Sequence, residues 1–137
     1  IKDPYYRFLN KYFLFLQIPI GLTLFAMGEK LGVGGWSMVL WGIPLRLVVV
    51  YHITWLVNSA THCWGSIAFD SGDESRNNAW VAALTFGEGW HNNHHAFPNS
   101  AKQGLFKGQI DLTWEHIKLL ARFGFAKKIK LPSRTYY

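Results

Sequence analysis

WSMVLWGIPLRLVVVYHITWLVNSA, residues 36–60, decides the fold: its only charge is Arg46. At 1.5 Å per helical residue such a run crosses a hydrocarbon layer and projects beyond the interface. Pro44 predicts a bend in its first third, because proline removes a helical hydrogen bond and crowds the preceding turn. Upstream, YFLFLQIPIGLTLFAM (12–27) carries no charge between Lys11 and Glu29, a second run at the short end of what spans a bilayer. The intervening GEKLGVGG (28–35) is rich in glycine and lets the chain reverse. Spans are therefore expected over about 12–28 and 36–58. Lys2, Arg7 and Lys11 precede the first run and a basic region follows the second, whereas the loop offers only Lys30. That asymmetry predicts both ends on the cytoplasmic side and residues 59–137 as a cytoplasmic region. The fold expected is all-α: an integral, multi-pass helical membrane protein, one transmembrane hairpin with a cytoplasmic helical cap.

The composition agrees. Half of the 137 residues are hydrophobic and 17% are aromatic, more than a soluble domain of this size readily hides. The net charge is +6, yet nine of the 14 Lys and Arg lie beyond residue 70 along a helix and a tail, not in one patch. No nucleic-acid motif accompanies them, so no nucleic-acid partner is expected. The single cysteine, Cys63, excludes an internal disulfide. A chain that starts at Ile1 with no leader before its first apolar run reads as a fragment of a longer protein.

Beyond the second run, SGDESRNN (71–78) reads as a loop ending in a helix start, and AWVAALTF follows it. Asp111 is placed to cap a helix in which Leu112, Ile117, Leu120, Ala121 and Phe123 oppose Glu115, Lys118 and Arg122. Gly124 is expected to end it. KKIKLPSR (127–134) reads as an exposed tail.

In HNNHH, His91, His94 and His95 stand at i, i+3 and i+4, so a helix projects all three imidazoles from one face. Neutral imidazole ligates iron, zinc or copper. A chance cluster on a surface helix satisfies the same pattern. Upstream, Asn58 and His62 stand at i and i+4, with Trp55 and Tyr51 on the same stripe. A polar Asn and an ionisable His on an apolar helix turn toward a partner or a cavity. An interhelical hydrogen bond accounts for them as well as a metal does, and the metal requires the two patches to meet.

WLVNSATHCWG (55–65) followed by GEGWHNNHHAFPNSA (87–101) resembles the last third of the membrane Δ9 acyl desaturases, especially those of cyanobacteria and plants. The likeness extends to Arg46, to the NNxWV stretch at Asn77–Val81 and to IDLTW at Ile110–Trp114. It implies that His91, His94 and His95 are the third of three histidine boxes holding two Fe ions. It also implies that His62 is an additional ligand and that Asn58 holds a metal through water. The first two boxes, HxxxxH and HxxHH, are expected before residue 1, so this stretch alone does not assemble the dinuclear centre.

The activity implied is oxygen-dependent desaturation of a fatty acyl chain, with a cis double bond at the ninth carbon. The substrate is an acyl-CoA or an acyl lipid, the oxidant O2, and the electron donor cytochrome b5 or ferredoxin, a separate protein. Trp55 and Thr54 are the expected substrate residues, lining an apolar tunnel. Two rivals stand beside this: a membrane fatty-acid hydroxylase of the same histidine-box chemistry, and a non-enzymatic metal-binding membrane protein.

Glu88, Asp70 and Asp73 are candidates to accept an imidazole N–H and so orient a ligand. His52 is off the Asn58–His62 stripe and is read as packing, and Cys63 likewise. His116 is read as a surface residue, and Arg46 as partnered or reaching toward the interface.

Overall fold

The structure, a computed structural model, describes residues 2–132. Among these every regular element is helical, apart from two isolated β-bridges that share Asn77, one to Ser66 and one to Trp90. The chain divides into two compact units, Ile1–Tyr51 and His52–Tyr137.

In the first unit, helix α1 runs from Pro4 to Leu31. Asp3 caps it, accepting from Tyr5 N at 2.8 Å, and Pro4 fills the first position, where no amide proton is needed. The helix ends at Gly32, whose φ of 71° is the left-handed conformation glycine adopts without strain. Helix α2 (Gly35–Leu40) follows after a short reversal, and its first amide is capped from across the turn: Gly35 N donates to Glu29 Oε1 at 2.6 Å. A Cβ on Gly35 would meet the Phe25 ring at 2.5 Å, so the absence of a side chain there lets α2 lie against α1. Large side chains such as Leu14, Trp36 and Trp41 remain more than two-thirds exposed, as expected of helices whose solvent is lipid.

Pro44, where the sequence predicts a bend, lies inside a π-helical turn over Trp41–Leu45. The amide of Arg46 reaches back to Trp41 O, five residues earlier, and its side-chain Nε donates to Gly42 O at 2.9 Å. Arg46 thus finds its partner in the widened turn that proline creates. Helix α3 then continues from Arg46 to Cys63, so that Pro4–Leu31 and Gly35–Cys63 are both long and apolar enough to cross a membrane. Both exceed the apolar runs that predicted them, because polar residues at either end join the same helices.

The second unit contains little regular structure beyond the end of α3: α4 (Ala79–Leu84), α5 (His91–Ala96) and α6 (Leu112–Arg122). Asn78 caps α4 by accepting from Val81 N at 3.2 Å, and Asp111 caps α6 by accepting from Trp114 N at 2.8 Å. Gly124, with φ 77°, follows α6 as expected. Val57, Ala60 and Val81 form a small apolar core, but most buried side chains are polar: Thr61, Ser75, Asn77, Asn78, Thr85, Asn92, Asn93 and Asp111. Buried polar groups hold a fold only when hydrogen-bonded, and each of these eight side chains is. The tail is exposed over much of 127–132, although Ala101 N donates to Lys130 O at 2.9 Å; Ser133 and Arg134 lie outside the described residues.

Candidate metal centre

His62 sits at the last turn of α3, where the chain is tied down on both sides. Thr61, fully buried, donates its hydroxyl to Val57 O and accepts from Arg76 N at its carbonyl, 2.7 Å away. The loop that leaves α3 pairs with Asn77 through Ser66 and then meets α5, because Asn77 N donates to Ser66 O at 2.7 Å while Asn77 Nδ2 donates to Asn93 Oδ1 at 2.7 Å.

Helix α5 has only six residues, too few to be stable by itself. Its orientation is imposed by the two asparagines between the histidines, both essentially fully buried. Asn92 Oδ1 accepts from Ala68 N and Phe69 N, each at 2.8 Å, and its Nδ2 donates to Phe69 O at 2.9 Å and Ser71 Oγ at 3.2 Å. Asn93 Nδ2 donates to Gln103 O at 2.7 Å and Gln109 Oε1 at 2.8 Å. Gln109 Oε1 and Asp111 Oδ2 gather four backbone amides of residues 103–106, at 2.7–3.0 Å, which shapes the loop against which Asn93 rests. At the helix start, Trp90 Nε1 donates to Ile110 O at 2.8 Å, and Asn78 N donates to the carbonyl of Gly89, where a Cβ would come within 2.6 Å of Ala82 Cα. With one face of α5 clamped by amides, the opposite face presents imidazoles.

The two histidine patches that the sequence left apart do meet. The ligand atoms of His62, His91 and His95 lie within 4.8 Å of one another. His91 Nε2 and His95 Nε2 are 3.0 Å apart, a separation that fits two nitrogens each about 2.1 Å from one ion. The His62 ring centroid lies 5.1 Å from that of His91 and 5.4 Å from that of His95. His94 stands on the same helix with its ring 6.0 Å from His91, outside that close group, and its buried Nδ1 has no hydrogen-bond partner. Burial first, and then the neighbouring His95, His62 and His94, push the pKa of His91 down to about 4, so its imidazole is neutral at physiological pH, as ligation requires. An all-imidazole donor set suits iron, zinc or copper better than magnesium or calcium.

Of the three carboxylates expected beside the histidines, Asp73 alone contacts one: Oδ2 meets His95 Nδ1. Hydrogen bonds from the hydroxyl and amide of Ser75, and then from Ser71 and His95, hold Asp73 well below the usual carboxylate range. Glu88 instead accepts from Gln103 Nε2 at 3.0 Å, and Asp70 accepts from Gly72 N in its own turn.

Asn58, one turn before His62, is exposed and donates to Thr54 O at 2.9 Å. Thr54 and Trp55 are exposed too, Trp55 to 61%. His52 is exposed with its ring 5.3 Å from Trp55, and His116 lies exposed beside Leu112 O. Cys63, expected to pack, is exposed as well.

Two apolar helices of membrane-crossing length, with three imidazoles converging at the end of the second, define a helical membrane protein with a candidate metal site. The sequence profile of the fatty acid desaturases matches residues 3–123, and the chain belongs to that family. It is 54% identical over 133 residues to an sn-1 stearoyl-lipid 9-desaturase of Anabaena variabilis, covering 97% of this chain and 47% of that protein. It is 52% identical over 134 residues to the chloroplastic palmitoyl-monogalactosyldiacylglycerol delta-7 desaturase of Arabidopsis thaliana, covering 98% of this chain and 34% of the relative. An acyl-CoA C20 Delta5-desaturase of Anemone leveillei is 45% identical over 139 residues, covering 99% of this chain and 42% of that protein. The chain thus spans less than half the length of these curated relatives.

Ser71, Ser75, Asn92, Asn93 and Gln109 were not singled out by the sequence reading. Two amides inside a histidine box are the available signal, since polar side chains on the hidden face of a short helix need partners. Those partners stand up to 24 residues away, beyond the reach of local pattern.

Proposed function

We propose that this chain is the metal-ligating C-terminal part of an oxygen-dependent fatty acyl desaturase that introduces a cis double bond, at the ninth carbon, into an acyl chain esterified to a lipid. The single observation that carries it is the convergence of His62, His91 and His95 within 4.8 Å in a chain of this family. The acyl-lipid substrate is favoured over acyl-CoA because the relatives at 53% and 54% identity are named stearoyl-lipid 9-desaturases, against 45% for one named as acting on acyl-CoA.

His62, His91, His94 and His95 would hold iron, with Asn58 contributing through water, and the remaining ligands of a two-iron centre would come from residues outside this chain. Iron bound there supplies the power to activate O2 and oxidise an unactivated methylene, which no side chain can do alone. The protein contributes the donors: His91, kept neutral by its burial, and His95, whose Nδ1 meets the Asp73 carboxylate. The amide clamp around Asn92 and Asn93 keeps the donors fixed. Trp55 and Thr54, exposed on the stripe that leads to Asn58 and His62, would line the path of the acyl chain.

Residues 12–28 and 36–58 would form a transmembrane hairpin with 59–137 as a cytoplasmic cap, both ends of the chain facing the cytoplasm. Cytochrome b5 or ferredoxin would deliver the electrons. The test is expression of the complete protein in a host lacking the corresponding unsaturated lipid, followed by analysis of its acyl chains. A new cis-9 monoene in the glycerolipids is the expected result. A hydroxylated acyl chain would transfer the protein to the hydroxylases, and unchanged lipids with metal bound would make it a metal-binding protein.

A further inference from the structure

The loop between α3 and α4 holds the ligand helix from two sides through one hydrogen-bonded knot. Ser71 is its centre: its hydroxyl donates to Asp73 Oδ1 at 2.8 Å, lies 2.9 Å from Ser75 Oγ, and accepts from Asn92 Nδ2 at 3.2 Å. Ser75 N also donates to Asp73 Oδ1, at 2.9 Å. One carboxylate oxygen is therefore spent on the loop, and the other, Oδ2, is left facing His95 Nδ1. Asn92 and His95 are three residues apart on α5, so the same five-residue stretch, 71–75, grips both the hidden face of that helix and one of its imidazoles.

An ionised carboxylate has lone pairs and no proton to donate. An imidazole nitrogen in contact with it must carry the proton, which leaves the other ring nitrogen as a lone-pair donor. In His95 that other nitrogen is Nε2, the atom 3.0 Å from His91 Nε2 and grouped with His62. We infer that Asp73 is a positioning residue of the metal centre: its carboxylate, fixed by Ser71 and Ser75, holds the His95 proton on Nδ1 and aims Nε2 at the metal shared with His62 and His91. This rests on the reading of His95 as a ligand, and does not depend on which oxidation the metal performs.

Asp73→Asn separates this role from simple loop building. Asparagine keeps Oδ1, which can still accept from Ser71 and Ser75, but replaces Oδ2 by an NH2 group that donates. His95 Nδ1 must then accept, its proton moves to Nε2, and the ligand lone pair is lost. Asp73→Glu retains the carboxylate. In the complete purified protein, loaded with Co(II) and challenged with a chelator, Asp73→Asn is expected to lower Co(II) affinity about 10- to 100-fold and to alter the visible spectrum of the bound cobalt. Asp73→Glu is expected to recover most of both, and the metal-free melting temperature of Asp73→Asn should stay near the parent's. Co(II) affinity and spectrum unchanged in Asp73→Asn would overturn the inference. So would an equal loss in Asp73→Glu accompanied by a lowered metal-free melting temperature, which would reduce Asp73 to a loop residue. Cobalt binding that follows these expectations in a protein that leaves acyl chains saturated would sink the desaturase reading and leave this inference standing.

Discussion

His94 and His116 make a useful pair because the sequence offers both as histidines on helices and the structure gives them different surroundings. His94 Nδ1 is buried without a partner, a costly condition for a polar atom, whereas His116 is exposed beside Leu112 O. In the complete protein, His94→Ala is expected to abolish desaturation while membrane insertion persists, and His116→Ala to leave product yield near the parent's. Lipid analysis of cells expressing each variant checks both. His91 predicts a pH dependence whose direction can be worked out. Its pKa falls from the ordinary 6.5 to about 4 on folding, so above 6.5 both folded and unfolded forms are neutral and its contribution to stability is complete. As pH drops from about 6.5 toward 4, the unfolded chain takes up a proton that the folded ring refuses, and stability declines. Below about 4 both forms are protonated and the loss is full. The melting temperature of the metal-free protein should therefore fall across that window, with a shallower slope in His91→Gln.

At the scale of elements, the informative contrast lies between the long helices and α5. The two apolar helices were legible because charge is excluded over enough consecutive residues for the bilayer itself to act as the selecting solvent. α6 was legible for local reasons, Asp111 at its start and Gly124 just past its end. The π turn was visible only as a bend at Pro44, since the reach of the Arg46 amide to Trp41 O depends on how the whole turn accommodates a missing donor. α5 was legible as a face of imidazoles, but not as an object held from behind: Asn93 engages Asn77, Gln103 and Gln109, ten to sixteen residues away. Asn93→Ala deletes these bonds and strands buried partners, at a cost of about 2–5 kcal/mol. The expected outcome is a lower melting temperature together with lost metal binding, which differs from the behaviour of Asp73→Asn. A variant that melted and bound metal like the parent would show that α5 is held by something other than its asparagines.

For the whole molecule, the site and the specificity separate. The histidines that converge are all near α5 and the end of α3, and the chain as a whole is 45–54% identical to relatives named for double bonds at the ninth, seventh and fifth carbons. On the proposed function, a framework common to enzymes named for three positions would fix where the oxidant sits, and the carbon presented to it would depend on how deep an acyl chain runs before meeting that point. Depth would be a property of the closed end of a tunnel, to which helices outside this chain would contribute, which is why the sequence points to a chemistry without determining its position. Consider a complete protein in which residues 52–132 are exchanged for the corresponding residues of the Arabidopsis delta-7 relative. The ligand set and its amide clamp are transplanted intact, so the chimera is expected to remain active. Its double bond is expected at the position made by the parent, read by mass spectrometry of derivatised monoenes. Relocation of the double bond to the seventh carbon would instead place the measuring wall of the tunnel within residues 52–132, with Thr54 and Trp55 as the first side chains to exchange back singly.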